Sequence, residues 1–186
     1  MKSLHSNSLL LAWRVAEAEA KRLTAPEIEP SHLLIGLAKL VDLDLPSLLS
    51  KNLPDRDEIL EEFLREVRRL RTVLRTAQVD PAAFRRALRG KPTNQRFSMP
   101  DSKTLHRSAA ARKTFADADH FAQLADSPVY PVHLLYAVLL YKDDGIQEVC
   151  SNLSIDTKRF QEVASREVIP HQRAAADTVK TKTKWN

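Results

Sequence analysis

Apolar residues recur every three or four positions along most of this chain, which is the spacing of amphipathic helices. A first apolar stretch runs from Leu11 to Leu23, and a second runs from Leu33 to Leu40. Pro26 and Pro30 stand between them, where proline ends one helix and fits the first turn of the next. The pattern therefore predicts a helical hairpin.

A long amphipathic helix is predicted from Asp55 to about Ala77. Its apolar residues fall three or four positions apart, and its arginines mostly lie off that stripe. A short helix from Leu45 to Lys51 precedes it, with Pro46 in the first turn. The apolar stripe of the long helix consists of Ile59, Phe63, Val67, Leu70 and Val73.

Two further helix starts follow. Asp80 and Pro81 begin a short helix that Gly90 ends. Further on, Asp101 or Ser102 can cap a helix that continues through apolar residues to position 124. Prolines then interrupt the chain again, so the hairpin pattern returns.

Composition agrees with a helical chain. Its 186 residues include only three glycines, while Ala, Leu, Arg and Glu fill the long stretches. The lone Cys150 cannot form an internal disulfide, which suits a reducing compartment. No run approaches the roughly 20 apolar residues that span a bilayer, and the first residues lack a signal-peptide core. We therefore expect a cytoplasmic protein without membrane association.

The sequence contains an internal repeat. Residues 15–20, Val-Ala-Glu-Ala-Glu-Ala, match residues 115–120, Phe-Ala-Asp-Ala-Asp-His, with an offset of 100. Residues 30–34, Pro-Ser-His-Leu-Leu, match residues 131–135, Pro-Val-His-Leu-Leu, with an offset of 101. A duplication with one inserted residue explains both matches. Two copies are too few for a solenoid, so they predict a globule with an apolar groove between its halves.

At these residues the sequence resembles the N-terminal repeat domain of Clp-type AAA+ unfoldases, whose second helix opens with His-Leu-Leu. The resemblance implies an all-α fold with a double Clp-N motif, two pseudo-symmetric four-helix repeats in one globule. It places this domain at residues 1–170, with repeat one at about 4–54 and repeat two at about 101–168. Residues 55–90 are expected to form an extra helical insertion, and residues 171–186 a linker or disordered tail.

The resemblance also implies a function. Such domains stand in front of an AAA+ ATPase ring and receive substrate polypeptides or an adaptor protein, and they are not catalytic themselves. Whether an ATPase ring follows depends on whether the gene continues. A stand-alone helical adaptor that serves another unfoldase is the alternative within the same fold.

Three groups of residues are candidates for binding a partner. Trp13 lies on the first helix, where it either contacts a partner or packs against the long helix. Ser31 and Val132 occupy the position before His where the family carries an acidic residue, so a pocket for phosphoarginine is not expected. The third group is basic and lies on the long helix: Arg65, Arg68 and Arg69.

The sequence offers no catalytic, cofactor or metal site. The only Gly-Lys pair, Gly90 and Lys91, is followed by proline and cannot form a phosphate-binding loop. His32 and His133 occupy equivalent positions without further ligands at metal-binding spacing. We therefore expect these two histidines to make structural hydrogen bonds near the starts of their helices.

Basic residues are concentrated in the middle of the chain. The net charge is +5, and between Arg65 and Arg96 ten basic side chains stand against two acidic ones, Glu66 and Asp80. This Arg-rich 65–96 face could bind nucleic acid through phosphate contacts. No nucleic-acid motif accompanies it, so a solvated face or a contact with an acidic partner protein is favoured and nucleic acid is an unlikely partner.

Overall fold

The computed structural model of the chain describes residues 5–48, 54–90 and 104–168. Within these ranges the chain forms nine helices, and its only β structure is isolated bridges. The predicted all-α fold is confirmed. The helices are α1 (Asn7–Arg22), α2 (Pro30–Leu40), α3 (Leu45–Leu48), α4 (Arg56–Thr76), α5 (Pro81–Arg89), α6 (Ala109–Leu124), α7 (Pro131–Leu140), α8 (Asp144–Asn152) and α9 (Thr157–Val168). The linker predicted over 171–186 lies outside the described residues.

Side-chain caps fix most helix starts. The hydroxyl of Ser6 accepts a hydrogen bond from the Leu9 amide at 3.3 Å, and Ser108 does the same for the Ala111 amide at 3.1 Å. The Asp80 carboxylate caps α5 by accepting a hydrogen bond from the Ala83 amide, as the sequence analysis predicted. The expected start of the sixth helix near residue 101 is wrong, because the backbone just before Ser108 is extended and pairs with Ile28.

The two caps also define the register of the repeat. Ser6 and Ser108 are equivalent, so the offset between α1 and α6 is 102 and not 100. At this offset the buried Ala16 faces the same environment as the buried Ala118. The letter match at offset 100 instead pairs Ala16 with the exposed Ala116. Alternating alanines made the two registers equally plausible in the sequence.

The repeat continues through the end of α4 and through α5. α5 packs against α2, and α9 packs against α7 in the same way. Both short helices follow a turn with positive φ, at Gln78 (58°) and Ser154 (55°), and both bury a phenylalanine, Phe84 and Phe160. The two turn residues are 76 positions apart in the sequence, and so are the two phenylalanines. The end of α4 is therefore the third helix of repeat one, and α5 is the fourth. The sequence analysis expected an insertion over 55–90 here.

The extra length of repeat one lies before these helices. The offset falls from 101 at the equivalent histidines, His32 and His133, to 76 at Phe84 and Phe160, so repeat one carries 25 additional residues. They include α3 and the first turns of α4, which is 21 residues long, whereas its equivalent α8 has nine. The longer third helix accounts for 12 of these residues (21 minus 9), and most of the others lie before α4, in the segment that contains α3.

The two repeats share one core. α2 and α7 are almost entirely buried and contact each other at the centre. Equivalent aromatic residues meet across the repeat boundary, Trp13 with Phe115 at 5.6 Å and Phe84 with Phe160 at 6.4 Å between ring centroids. The first pair joins α1 to α6 across the boundary, and the second joins α5 to α9.

The segments before the first helices are exchanged between the repeats. The Ser6 amide donates to the carbonyl of Val129 at 3.1 Å, and the Ser108 amide donates to the carbonyl of Ile28, also at 3.1 Å. Each repeat therefore completes the backbone hydrogen bonds of the other.

Candidate partner-binding site

His32 and His133 are structural. The Nδ1 atom of His32 accepts a hydrogen bond from the Glu29 amide at 2.9 Å, and that of His133 accepts one from the Tyr130 amide at 3.0 Å. These bonds confirm the predicted role at the helix starts. Burial lowers the pKa of each histidine to about 4, so both are neutral at physiological pH.

Ser31 and Val132, the residues before these histidines, differ in exposure. Ser31 is half-buried, whereas Val132 is only 1% exposed and offers no surface to a partner. Neither lines the surface depression that α4 forms with α9. A carboxylate-based pocket at these two positions has no acidic side chain to build on.

Trp13 belongs to an aromatic cluster at the boundary between α1 and α6. Its ring meets the edge of Phe115, and the Arg107 guanidinium lies 5.7 Å from the Trp13 centroid and 4.9 Å from the Phe115 centroid. Trp13 therefore packs against Phe115, its equivalent in the other repeat. Trp13 is partly exposed, whereas Phe115 is buried.

The structure brings the three predicted arginines together. Arg65, Arg68 and Arg69, with Thr72 and Glu167, line a surface depression of about 480 Å³ between α4 and the end of α9. We call this the arginine depression. It lies between helices of the two repeats, as expected of a groove, and four of its five lining residues carry a charge.

Arg69 is the anchored member of this group. Its Nε donates to the Glu167 carboxylate at 3.2 Å, and a terminal nitrogen donates to the Glu167 carbonyl at 2.5 Å. The guanidinium also lies 5.7 Å from the centroid of the Tyr130 ring. Arg69 thus joins α4 to α9 and to the start of α7. Arg65 and Arg68 are exposed beside it.

The Arg-rich 65–96 segment is not one continuous face. Arg85 is buried, pairs with Asp42 at 2.6 Å and donates to the carbonyl of Ala38 at 2.8 Å. Arg89 makes two hydrogen bonds to Glu19, at 2.5 and 3.0 Å. These arginines hold α5 against α1 and α2. Lys91 and Arg96 lie outside the described residues, so the basic surface that the structure supports is the one on α4.

Glu66 is a buried carboxylate that the sequence analysis did not propose as a site residue. It is 3% exposed, and it accepts hydrogen bonds from the hydroxyls of Ser6, at 2.7 Å, and of Ser8. Burial raises the pKa of Glu66, although the bonds from Ser8 and Ser6 oppose that rise. Its position three residues after Phe63, on the apolar stripe, was the available signal.

The described ranges contain no group of three or more His, Cys, Asp or Glu side chains arranged to hold a metal ion. Nor does any helix in those ranges combine the length and apolar composition that a bilayer crossing requires.

Comparison with solved structures defines the class of fold. No family model and no curated protein matches the sequence. The chain nevertheless has the fold of the N-terminal domains of Clp and Hsp104 chaperones.

Three solved structures illustrate this likeness. The Hsp104 N-terminal domain of Candida albicans has a TM-score of 0.57 at 18% identity, over 87% of this chain and 89% of that one. The N-terminal domain of the Caseinolytic protease associated chaperone ClpD of Arabidopsis thaliana has 0.56 at 16%, over 90% and 96%. A chain from a malarial protein secretion system has 0.58 at 17%, over 88% and 94%.

Proposed function

We propose that this chain is a recruiting domain that binds substrate polypeptides or an adaptor protein for a Clp-like unfoldase and is not catalytic in itself. The fold it shares with Clp and Hsp104 N-terminal domains supports this role. The observation that carries the proposal is the arginine depression, where exposed Arg65 and Arg68 flank the anchored Arg69 at the edge between the repeats. A solvent-facing concave site at such an edge suits a transient polypeptide contact.

The arrangement of arginines favours a protein partner over nucleic acid. Arg85 and Arg89 form ion pairs inside repeat one. They do not add to the positive surface on α4, which is therefore short. Nucleic-acid binding depends on many phosphate contacts and would need a longer track.

Binding is tested by titrating the isotope-labelled chain with a permanently unfolded polypeptide and following the amide signals by NMR. Saturable shifts of the residues around the arginine depression are the expected result, and a folded protein of similar size and charge is the control. If the unfolded polypeptide causes no shift anywhere in the chain, the recruiting role is wrong.

The link to an unfoldase is tested separately. Reading the open reading frame beyond codon 186 should reveal a phosphate-binding loop of the Gly-x-x-x-x-Gly-Lys-Thr type within roughly a hundred codons. A stop codon instead would make the chain a stand-alone adaptor.

A further inference from the structure

The surface charge of α4 changes sign along the helix. Its first turns expose acidic residues, among them Asp57, Glu58 and Glu61. From Arg65 onward every exposed charged residue on the helix is an arginine, because the one acidic side chain in this part, Glu66, is buried. The exposed arginines are Arg65, Arg68, Arg71 and Arg75.

The length of this basic surface limits what can lie on it. Arg65 and Arg75 are ten residues apart, which corresponds to about 15 Å along a helix axis. An extended polypeptide advances about 3.3 Å per residue, so about five residues cover that distance. A duplex lying along the helix would continue over the acidic first turns, where phosphates are repelled.

The arginine depression already holds one carboxylate. Glu167 of α9 sits against Arg69, whose guanidinium it engages through both side-chain and backbone oxygens. The geometry at Arg69 therefore suits the planar carboxylate group. With three arginines and one glutamate, the lining keeps an excess of two positive charges.

We infer that the arginine depression docks a short, extended, acidic segment of the partner polypeptide, with its carboxylates on Arg65 and Arg68 beside the anchored Arg69. This inference rests on the proposed recruiting function and names the chemistry of the partner. Arg69 serves as a positioning residue, because its guanidinium is held by Glu167 and Tyr130.

The test measures fluorescence anisotropy of a labelled eight-residue peptide of alternating glutamate and serine. The double variant Arg65→Gln/Arg68→Gln should bind this peptide at least fivefold more weakly than the unaltered chain. Its matched control is Arg86→Gln/Arg112→Gln, which removes two exposed arginines elsewhere, on α5 and α6, and should stay within twofold. A lysine-serine peptide should not bind, and added salt should weaken binding of the acidic peptide.

Four outcomes separate failure of this inference from failure of the recruiting role. Equal losses in both double variants would mean that the peptide responds to net charge alone. Tighter binding of a DNA strand of equal charge would assign the surface to nucleic acid. If the double variant still binds the unfolded polypeptide with unchanged affinity, the recruiting role survives but its site lies elsewhere. If the unaltered chain binds the acidic peptide but not the unfolded polypeptide, the depression stands and the general recruiting role fails.

Discussion

The two repeats bury equivalent residues but present different surfaces. Histidine caps, phenylalanines and positive-φ turns recur in both copies, at His32 and His133 and at Phe84 and Phe160. The largest difference in helix length lies in α4, which has 21 residues where its equivalent α8 has nine. The arginine depression is built on α4. The two repeats therefore share the arrangement of their core, and the candidate binding surface lies on the helix that differs most between them.

The histidine caps test whether the two cores are equivalent. Their folded-state pKa of about 4 lies below the ordinary value of 6.5, so the unfolded chain takes up protons first as the pH falls. Stability is therefore complete above pH 6.5 and is lost as the pH falls toward 4. Between pH 7 and pH 5 the loss should be about 2 kcal/mol for each histidine.

Urea unfolding at the two pH values measures this loss. Asn in place of either histidine keeps an acceptor near the Nδ1 position but does not titrate. His32→Asn and His133→Asn should each remove about half of the pH dependence. A variant that removes all of it would show that only one repeat contributes.

Gly36 marks a difference in packing between the repeats. A Cβ at this position would lie 3.2 Å from the amide nitrogen of Ala16 and would overlap the Ala12 carbonyl oxygen, so α1 would have to move. Gly36→Ala should cost about 3 kcal/mol. The equivalent residue in α7 is Ala137, and Ala137→Gly should cost about 1 kcal/mol. Equal costs in chemical denaturation would mean that α1 and α6 approach their partner helices equally closely.

Neighbouring arginines on α4 should differ in their effect on stability. Arg69→Gln removes the bonds to Glu167 and should cost about 1 kcal/mol. Arg68→Gln changes an exposed side chain and should leave the free energy of unfolding within about 0.5 kcal/mol. Thermal unfolding of the two variants measures the difference. A larger loss for Arg68→Gln would show that this residue has a structural role.

Glu66 should make stability depend on pH in the direction opposite to the histidines. Its folded-state pKa is raised, so the folded chain favours the neutral carboxyl, and stability is lost as the pH rises above 4.5 through the folded value. Between pH 5 and pH 8, where deprotonation of the histidines raises the free energy of unfolding, the Glu66→Gln variant should gain more stability than the unaltered chain. Glu61→Gln, an exposed change on the same helix, is the control. An unchanged pH profile in Glu66→Gln would mean that the carboxyl is solvated.

Local signals in the sequence were enough to predict most helices. The apolar stripe predicted the long helix as Asp55 to Ala77, and the structure has Arg56–Thr76. Asp80 and Pro81 announced the next helix, because capping and proline act within one turn. The register of the repeat failed, since burial distinguishes Ala16 from Ala18 and sequence identity does not. The equivalence of α5 and α9 as fourth helices was also missed, because Phe84 and Phe160 are related by their packing and not by a sequence match.

The candidate site was predictable only in part. Arg65, Arg68 and Arg69 were chosen from their spacing, and the structure places them together. The same reasoning included Arg85 and Arg89, whose ion pairs to Asp42 and Glu19 depend on how α5 meets α2 and α1. Side-chain chemistry is the same in both groups. Only tertiary contacts separate arginines that stabilise the fold from arginines that face solvent.

The exchanged segments before α1 and α6 make each half dependent on the other. Neither copy alone can satisfy the backbone of Ile28 or Val129, whose carbonyls receive their hydrogen bonds from the opposite copy. Opening one junction therefore removes partners from the other half, so unfolding should be a single cooperative transition. Expressed alone, one half would regain its missing bonds by pairing with a second molecule. The covalent duplication makes permanent what two separate chains would form as a symmetric dimer.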